Sequence, residues 1–115
     1  MKTDRLMHVW NNCRLKKPFF IAGPCIIESK EMTCEIAEEL KSVFSSLDMP
    51  FIFKASYDKA NRTSIKSFRG PGIDCGLQIL RSIKKKLGVH VITDVHCTHD
   101  VEKVASVADI IQIPA

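Results

Sequence analysis

A chain of 115 residues has room for one domain with a real core but not for two. Its 45 % hydrophobic and 26 % charged residues exclude a disordered chain and fit a soluble globular one. The formal net charge of +4 is mild and spread along the sequence, which argues against a nucleic-acid partner.

Residues 1–18 read as a polar lead-in without the apolar middle of a secretory signal. No apolar stretch approaches the roughly 20 residues of a membrane-spanning helix. The five cysteines, Cys13, Cys25, Cys34, Cys75 and Cys97, are odd in number and share no repeated spacing. A disulfide framework is not expected, and the reducing cytoplasm is the expected compartment.

From residue 19 to residue 115 one pattern repeats. Short apolar runs at Phe19 to Gly23, Phe51 to Ala55, Val89 to Val95 and Ile110 to Ile113 are apolar on both alternating faces, as buried parallel strands are. After the first run, Ser29 is placed to cap a helix whose stripe is Met32, Ile36, Leu40, Val43, Phe44 and Leu47. After the second, Leu77, Leu80, Ile83 and Leu87 form another stripe, closed by Gly88. Lys84-Lys85-Lys86 at its end reads as a solvated run of cations facing the negative end of the helix dipole. A shorter third helix follows, with Thr98 or Asp100 as cap and Val101, Val104, Ala105 and Ala108 facing inward.

Strand and helix in strict alternation predict βαβ units on a parallel sheet, hence an α/β fold. An open doubly wound sheet and a (β/α) barrel both satisfy that pattern. No glycine-rich dinucleotide fingerprint follows a strand, and Gly70-Pro71-Gly72 lies inside a loop. Residues two apart share a face of a strand. Ile21, Gly23 and Cys25 therefore align, as do Ile52, Lys54 and Ser56, then Ile92, Asp94 and His96, then Ile110 and Gln112. Each strand begins apolar and turns polar near its carboxyl end, where barrel enzymes assemble their sites.

The loop after the second strand concentrates Lys54, Lys59, Arg62, Lys66 and Arg69 among the hydroxyls of Ser56, Thr63 and Ser64. A lysine at the inward end of an apolar strand is costly unless an anion offsets it. Forked guanidinium groups and ammonium charges suit phosphate. The loop thus points to a phosphorylated or multiply anionic small molecule.

The segments I-A-G-P-C-I-I-E-S (Ile21 to Ser29), K-A-S-Y-D-K-A-N-R-T-S (Lys54 to Ser64), S-F-R-G-P-G (Ser67 to Gly72), T-D-V-H (Thr93 to His96) and I-I-Q-I-P-A (Ile110 to Ala115) occur in order. Together they resemble the 3-deoxy-D-manno-octulosonate 8-phosphate synthase family, from about Phe19 to the last residue. Sister families that use erythrose 4-phosphate or an amino sugar share the barrel but do not usually carry the full second segment.

The resemblance implies a (β/α)8 barrel of which this chain covers about the first four βα units. It also implies condensation of phosphoenolpyruvate with D-arabinose 5-phosphate, feeding the inner sugar of lipopolysaccharide. Lys54, Lys59 and Asp94 would serve as catalytic residues. Ser56 and Gln112 would help hold phosphoenolpyruvate, and Asn61, Arg62 and Thr63 the sugar phosphate. Cys25 after A-G-P resembles the metal-dependent class, with zinc or iron as the ion and further ligands expected beyond residue 115. His96, Cys97 and His99 do not read as a local zinc site, because adjacent strand residues point opposite ways. A homotetramer, with no membrane partner, is also implied. A closed barrel takes ~250 residues, so the chain is expected to be the front part of a synthase and inactive by itself. The alternative is a non-catalytic half-barrel that binds phosphorylated molecules or self-associates.

Overall fold

The computed structural model describes residues 7, 9–11, 14, 18–59, 66 and 68–115. Within them lie strands β1 (Phe20–Ala22), β2 (Phe51–Lys54), β3 (His90–Asp94) and β4 (Ile110–Gln112). Helix α1 (Lys30–Ser46) joins β1 to β2, and α2 (Ile73–Leu87) joins β2 to β3. A single 3-10 turn (Thr98–Asp100) leads into the short α3 (Val101–Ala105) before β4. All four apolar runs therefore form strands.

The sheet is wholly parallel, in the order β1-β2-β3-β4. Its two faces differ. One carries Phe53, Ala55, Val91 and Val95, which pack with Ala37 of α1, Leu77, Leu80 and Ile83 of α2, and Val104 of α3. The other carries Ile52 and Ile92, joined by Val9, Phe19 and Ile110 and by no residue of the three helices. A doubly wound sheet reverses its strand order and has helices on both faces. Sequential order with all three crossover helices on one face is the arc of a barrel, with Ile52, Ile92 and Ile110 on the inner side.

Local chemistry fixes each crossover. Ser29 Oγ accepts the N–H of Met32 at 3.1 Å, capping α1 as expected. The inward stripe of α1 is rotated from the expected one. Thr33 and Ala37 are buried, whereas Met32, Val43 and Leu47 are largely exposed. The two small residues let the helix approach the sheet closely, and the bulkier side chains fall to the flanks. In α2 the expected stripe holds, and Gly88 ends the helix at φ 66°, donating to the Lys84 carbonyl at 2.9 Å. In α3 only Val104 is buried; Val101 and Ala105 are exposed, and Val107 completes the packing from the turn beyond. Neither Thr98 nor Asp100 provides a side-chain cap.

Lys84 departs from a solvated run of cations. Its Nζ donates to the Val107 carbonyl at 2.7 Å and to Asp109 Oδ1 at 3.0 Å. Asp109 Oδ2 accepts the N–H of Val91 at 2.9 Å and lies 3.5 Å from His90 Nδ1. Lys85 stays exposed, and Lys86 pairs with Glu38 of α1. Burial pushes the Asp109 carboxyl up, but the Val91 hydrogen bond and the charges of Lys84 and His90 outweigh it and hold it below its ordinary value. A carboxylate depressed in the folded state stabilises the fold above the unfolded pKa of about 3.9 and ceases to as pH falls through the lower folded value. Asp109→Asn is therefore expected to cost about 1–3 kcal/mol at neutral pH. The gap to wild type should narrow below pH ~4, as urea unfolding at both pH values would show.

Candidate active site

The carboxyl ends of the strands carry the polar residues. The register sets Lys54 of β2 beside Ile92 of β3, and Asp94 of β3 beside Gln112 of β4. Pairing continues past the strands: Ser56 bridges Ile26, its N–H donating to the Cys25 carbonyl at 3.3 Å and its carbonyl accepting from Ile27 at 3.1 Å. Val95 donates to the Gln112 carbonyl at 3.2 Å. The rim of the arc is thus held by backbone, and the residues it presents come from all four βα units.

Lys54, Ser56, Asp94 and Gln112 extend the inner face that begins with Ile52, Ile92 and Ile110. Lys54 and Gln112 are half-buried, and Ser56 is fully buried. Asp94 is 5 % exposed. Its Oδ2 lies 3.4 Å from His96 Nε2, while its Oδ1 has no hydrogen-bond partner among the described residues. The Lys54 side chain forms neither a hydrogen bond nor an ion pair among the described residues. A half-buried ammonium and a buried carboxylate oxygen, each without a partner, on one concave face are groups held ready for a polar ligand.

Lys59 reaches the same place from the loop. Its Nζ donates to Ser56 Oγ at 2.8 Å, which aims the ammonium at the strand ends. Arg69 does not join the anion-binding cations expected of this loop. Its guanidinium makes a forked pair with Asp58, both bonds 2.8 Å long, and its carbonyl accepts the N–H of Lys59 at 2.7 Å. That pair clasps the base of the loop and holds the Arg69 proton more tightly than usual, chiefly through the Asp58 hydrogen bond. Asn61, Arg62 and Thr63 lie outside the described residues.

Cys25 is exposed at the rim beyond β1, one residue from the Ile26–Ser56 bridge. Among the described residues no three His, Cys, Asp or Glu side chains gather as a metal site. The described residues thus supply a thiol but not a ligand set. His96 is half-buried against the Tyr57 ring, and Cys97 and His99 are exposed.

Two residues of this region were not legible as functional. Tyr57, the one tyrosine of the chain, is buried directly behind Ser56, and its hydroxyl donates to Asp100 Oδ2 at 3.1 Å. The only sequence signal was a large aromatic inside an otherwise polar loop. Asp100 looked like a helix cap and serves the tyrosine instead.

The family model described as DAHP synthetase I family matches residues 12–115. A 2-dehydro-3-deoxyphosphooctonate aldolase of Paraburkholderia phymatum is 58 % identical over 102 residues, 88 % of this chain and 36 % of the relative. Proteins of the same name from Burkholderia multivorans and Coxiella burnetii are 56 % identical over 102 residues and 58 % identical over 97 residues. That name denotes the synthase that the motifs resemble. The chain spans about a third of these relatives' length, 36 % for the first of them. With its sequential parallel strands, its outer helices and a family match covering most of its length, the chain belongs to the DAHP synthetase I family, a family of (β/α) barrels.

Proposed function

We propose that this chain carries the phosphoenolpyruvate-binding part of a synthase that condenses phosphoenolpyruvate with D-arabinose 5-phosphate, the reaction of lipopolysaccharide inner-core sugar synthesis. The observation that carries the proposal is the meeting of Lys54, Ser56, Lys59, Asp94 and Gln112 at the carboxyl ends of adjacent strands, with the Lys54 side chain and one Asp94 oxygen unpaired among the described residues. In the reaction the enol carbon of phosphoenolpyruvate bonds to the aldehyde carbon of the sugar, water adds at C2, and inorganic phosphate leaves. Two anionic substrates repel each other, so cations must offset that repulsion and align the carbons. Lys54 and Lys59 are proposed to bind the carboxylate and phosphate of phosphoenolpyruvate, with Ser56 and Gln112 orienting it. Asp94 is proposed to accept a proton from the water or the hydroxyl formed. Asn61, Arg62 and Thr63 are proposed to bind the sugar phosphate.

Cys25 is proposed as one donor to a divalent metal, zinc or iron, for which a thiolate is suited. Bound there, the ion would act as a Lewis acid. The described residues do not complete its ligand set.

The test is calorimetric titration of the 115-residue chain with phosphoenolpyruvate, with metal analysis and a product assay on the same preparation. Saturable binding of phosphoenolpyruvate in preference to inorganic phosphate is expected, without product, because a sheet of four strands leaves the ring of eight open. Equal affinity for every phosphorylated compound would overturn the reading in favour of a general phosphate-binding module. The edge strands favour a second property, self-association: Phe20, Ile21 and Ile113 are exposed along or beside β1 and β4. Light scattering during size exclusion would read it.

A further inference from the structure

The segment bearing Ser56 and Lys59 is not an independent loop. Tyr57 sits between them and is 2 % exposed, the largest side chain among those fully buried. Its hydroxyl crosses to Asp100 Oδ2, 3.1 Å away in the turn that follows β3. Its ring meets the His96 ring edge-on, with centroids 5.6 Å apart, and His96 in turn lies against Asp94. Its carbonyl accepts the N–H of Gly72, and Gly76 of α2 packs so tightly on it that an added Cβ would lie 2.4 Å from Tyr57 Cβ. One residue thus touches the loop after β2, the turn after β3 and the start of α2.

We infer that Tyr57 is a positioning residue, which through its hydrogen bond to Asp100 and its edge contact with His96 locks the Ser56–Lys59 segment against the carboxyl end of β3, where Asp94 and His96 lie. It touches none of the reacting groups assigned above. Its effect is on the relative placement of two sets of ligands that come from different strands, where a displacement of an ångström is felt in binding and rate. The lock lasts across the working pH range, because burial first, and then the hydrogen bond to Asp100, push the hydroxyl's pKa well above its ordinary value and keep the proton on the donor. Its consequence for phosphoenolpyruvate rests on the function proposed above; the lock itself does not.

The test is amide hydrogen exchange on the 115-residue chain with Tyr57→Phe, Asp100→Ala and Asp100→Asn. The reporters are the amides of Ser56, Lys59 and Asp100, hydrogen-bonded to Cys25, Arg69 and Cys97 respectively. In Tyr57→Phe and Asp100→Ala these three should exchange about tenfold faster together, while the amides of α1 are unchanged. Asp100→Asn keeps an acceptor for the hydroxyl and should restore most of the protection. Unchanged exchange at the three amides overturns the inference, and so does acceleration spread evenly over the chain, which reports only lost stability. In the same samples phosphoenolpyruvate should bind about tenfold more weakly to Tyr57→Phe than to wild type. If wild type binds none, the function reading fails, and the exchange result still decides the role of Tyr57.

Discussion

Lys54→Met is expected to weaken phosphoenolpyruvate binding about 10- to 100-fold while leaving the fold as stable as wild type or more so. The two halves of that expectation have one cause. Lys54 ends β2 on the inner face, half-buried on the side that bears Ile52 and Ile92 and without a partner among the described residues. Holding a charge there costs folding free energy that no described residue returns, so a methionine of similar length should be tolerated or preferred. The ligand supplies the return. A charge-assisted hydrogen bond in a partly desolvated site contributes about 1.5–3 kcal/mol, and each 1.4 kcal/mol is about tenfold in affinity. Urea unfolding and calorimetric titration of the same variant measure both halves. A fall in stability with unchanged binding would make Lys54 structural and remove the main support for the site.

Gly23→Ala is expected to cost the fold about 3 kcal/mol or more, at the upper end of what overpacking does. A Cβ at Gly23 would lie 1.8 Å from the Lys54 carbonyl oxygen and 2.8 Å from its carbon. These are backbone atoms of the neighbouring strand, so no rotamer change relieves the clash, and β1 must leave β2. Space is the cause rather than conformation, since Gly23 is not among the glycines with positive φ. Gly72 is the contrast: nothing lies within 4 Å of its added Cβ, but its φ is 88°. Gly72→Ala should cost only the strain of that backbone, about 1–2 kcal/mol. Thermal unfolding of both variants separates them. The Gly23 variant should also lose phosphoenolpyruvate binding, because the Lys54 backbone is what it displaces.

Much of the site was legible because a strand's period of two is strict. Once β2, β3 and β4 were recognised from their apolar runs, the same period placed Lys54 and Ser56, Asp94 and His96, and Gln112 after Ile52, Ile92 and Ile110, which the structure sets on one side of the sheet, opposite Phe53 and Val91. Helix faces were read less well. With 3.6 residues per turn and apolar side chains spread around α1, composition alone could not say that Thr33 and Ala37, rather than Met32 and Val43, face the sheet. Cation counting in the loop failed for a different reason. Arg69 and Lys84 look like their neighbours in sequence, yet each is matched to a carboxylate 11 and 25 residues away.

The sequence by itself determined the alternation of strand and helix, the parallel sheet, the cap at Ser29, the stop at Gly88 and the polar rim. All of these depend on spacing within about ten residues, which the period of a strand or helix makes rigid. The tertiary structure alone decided that Arg69 and Lys84 are paired within the protein, and that Tyr57 reaches across to Asp100. Those outcomes depend on which side chains meet after the crossovers close. Burial then settles which polar groups find partners and which, like the Lys54 side chain and Asp94 Oδ1, find none among the described residues.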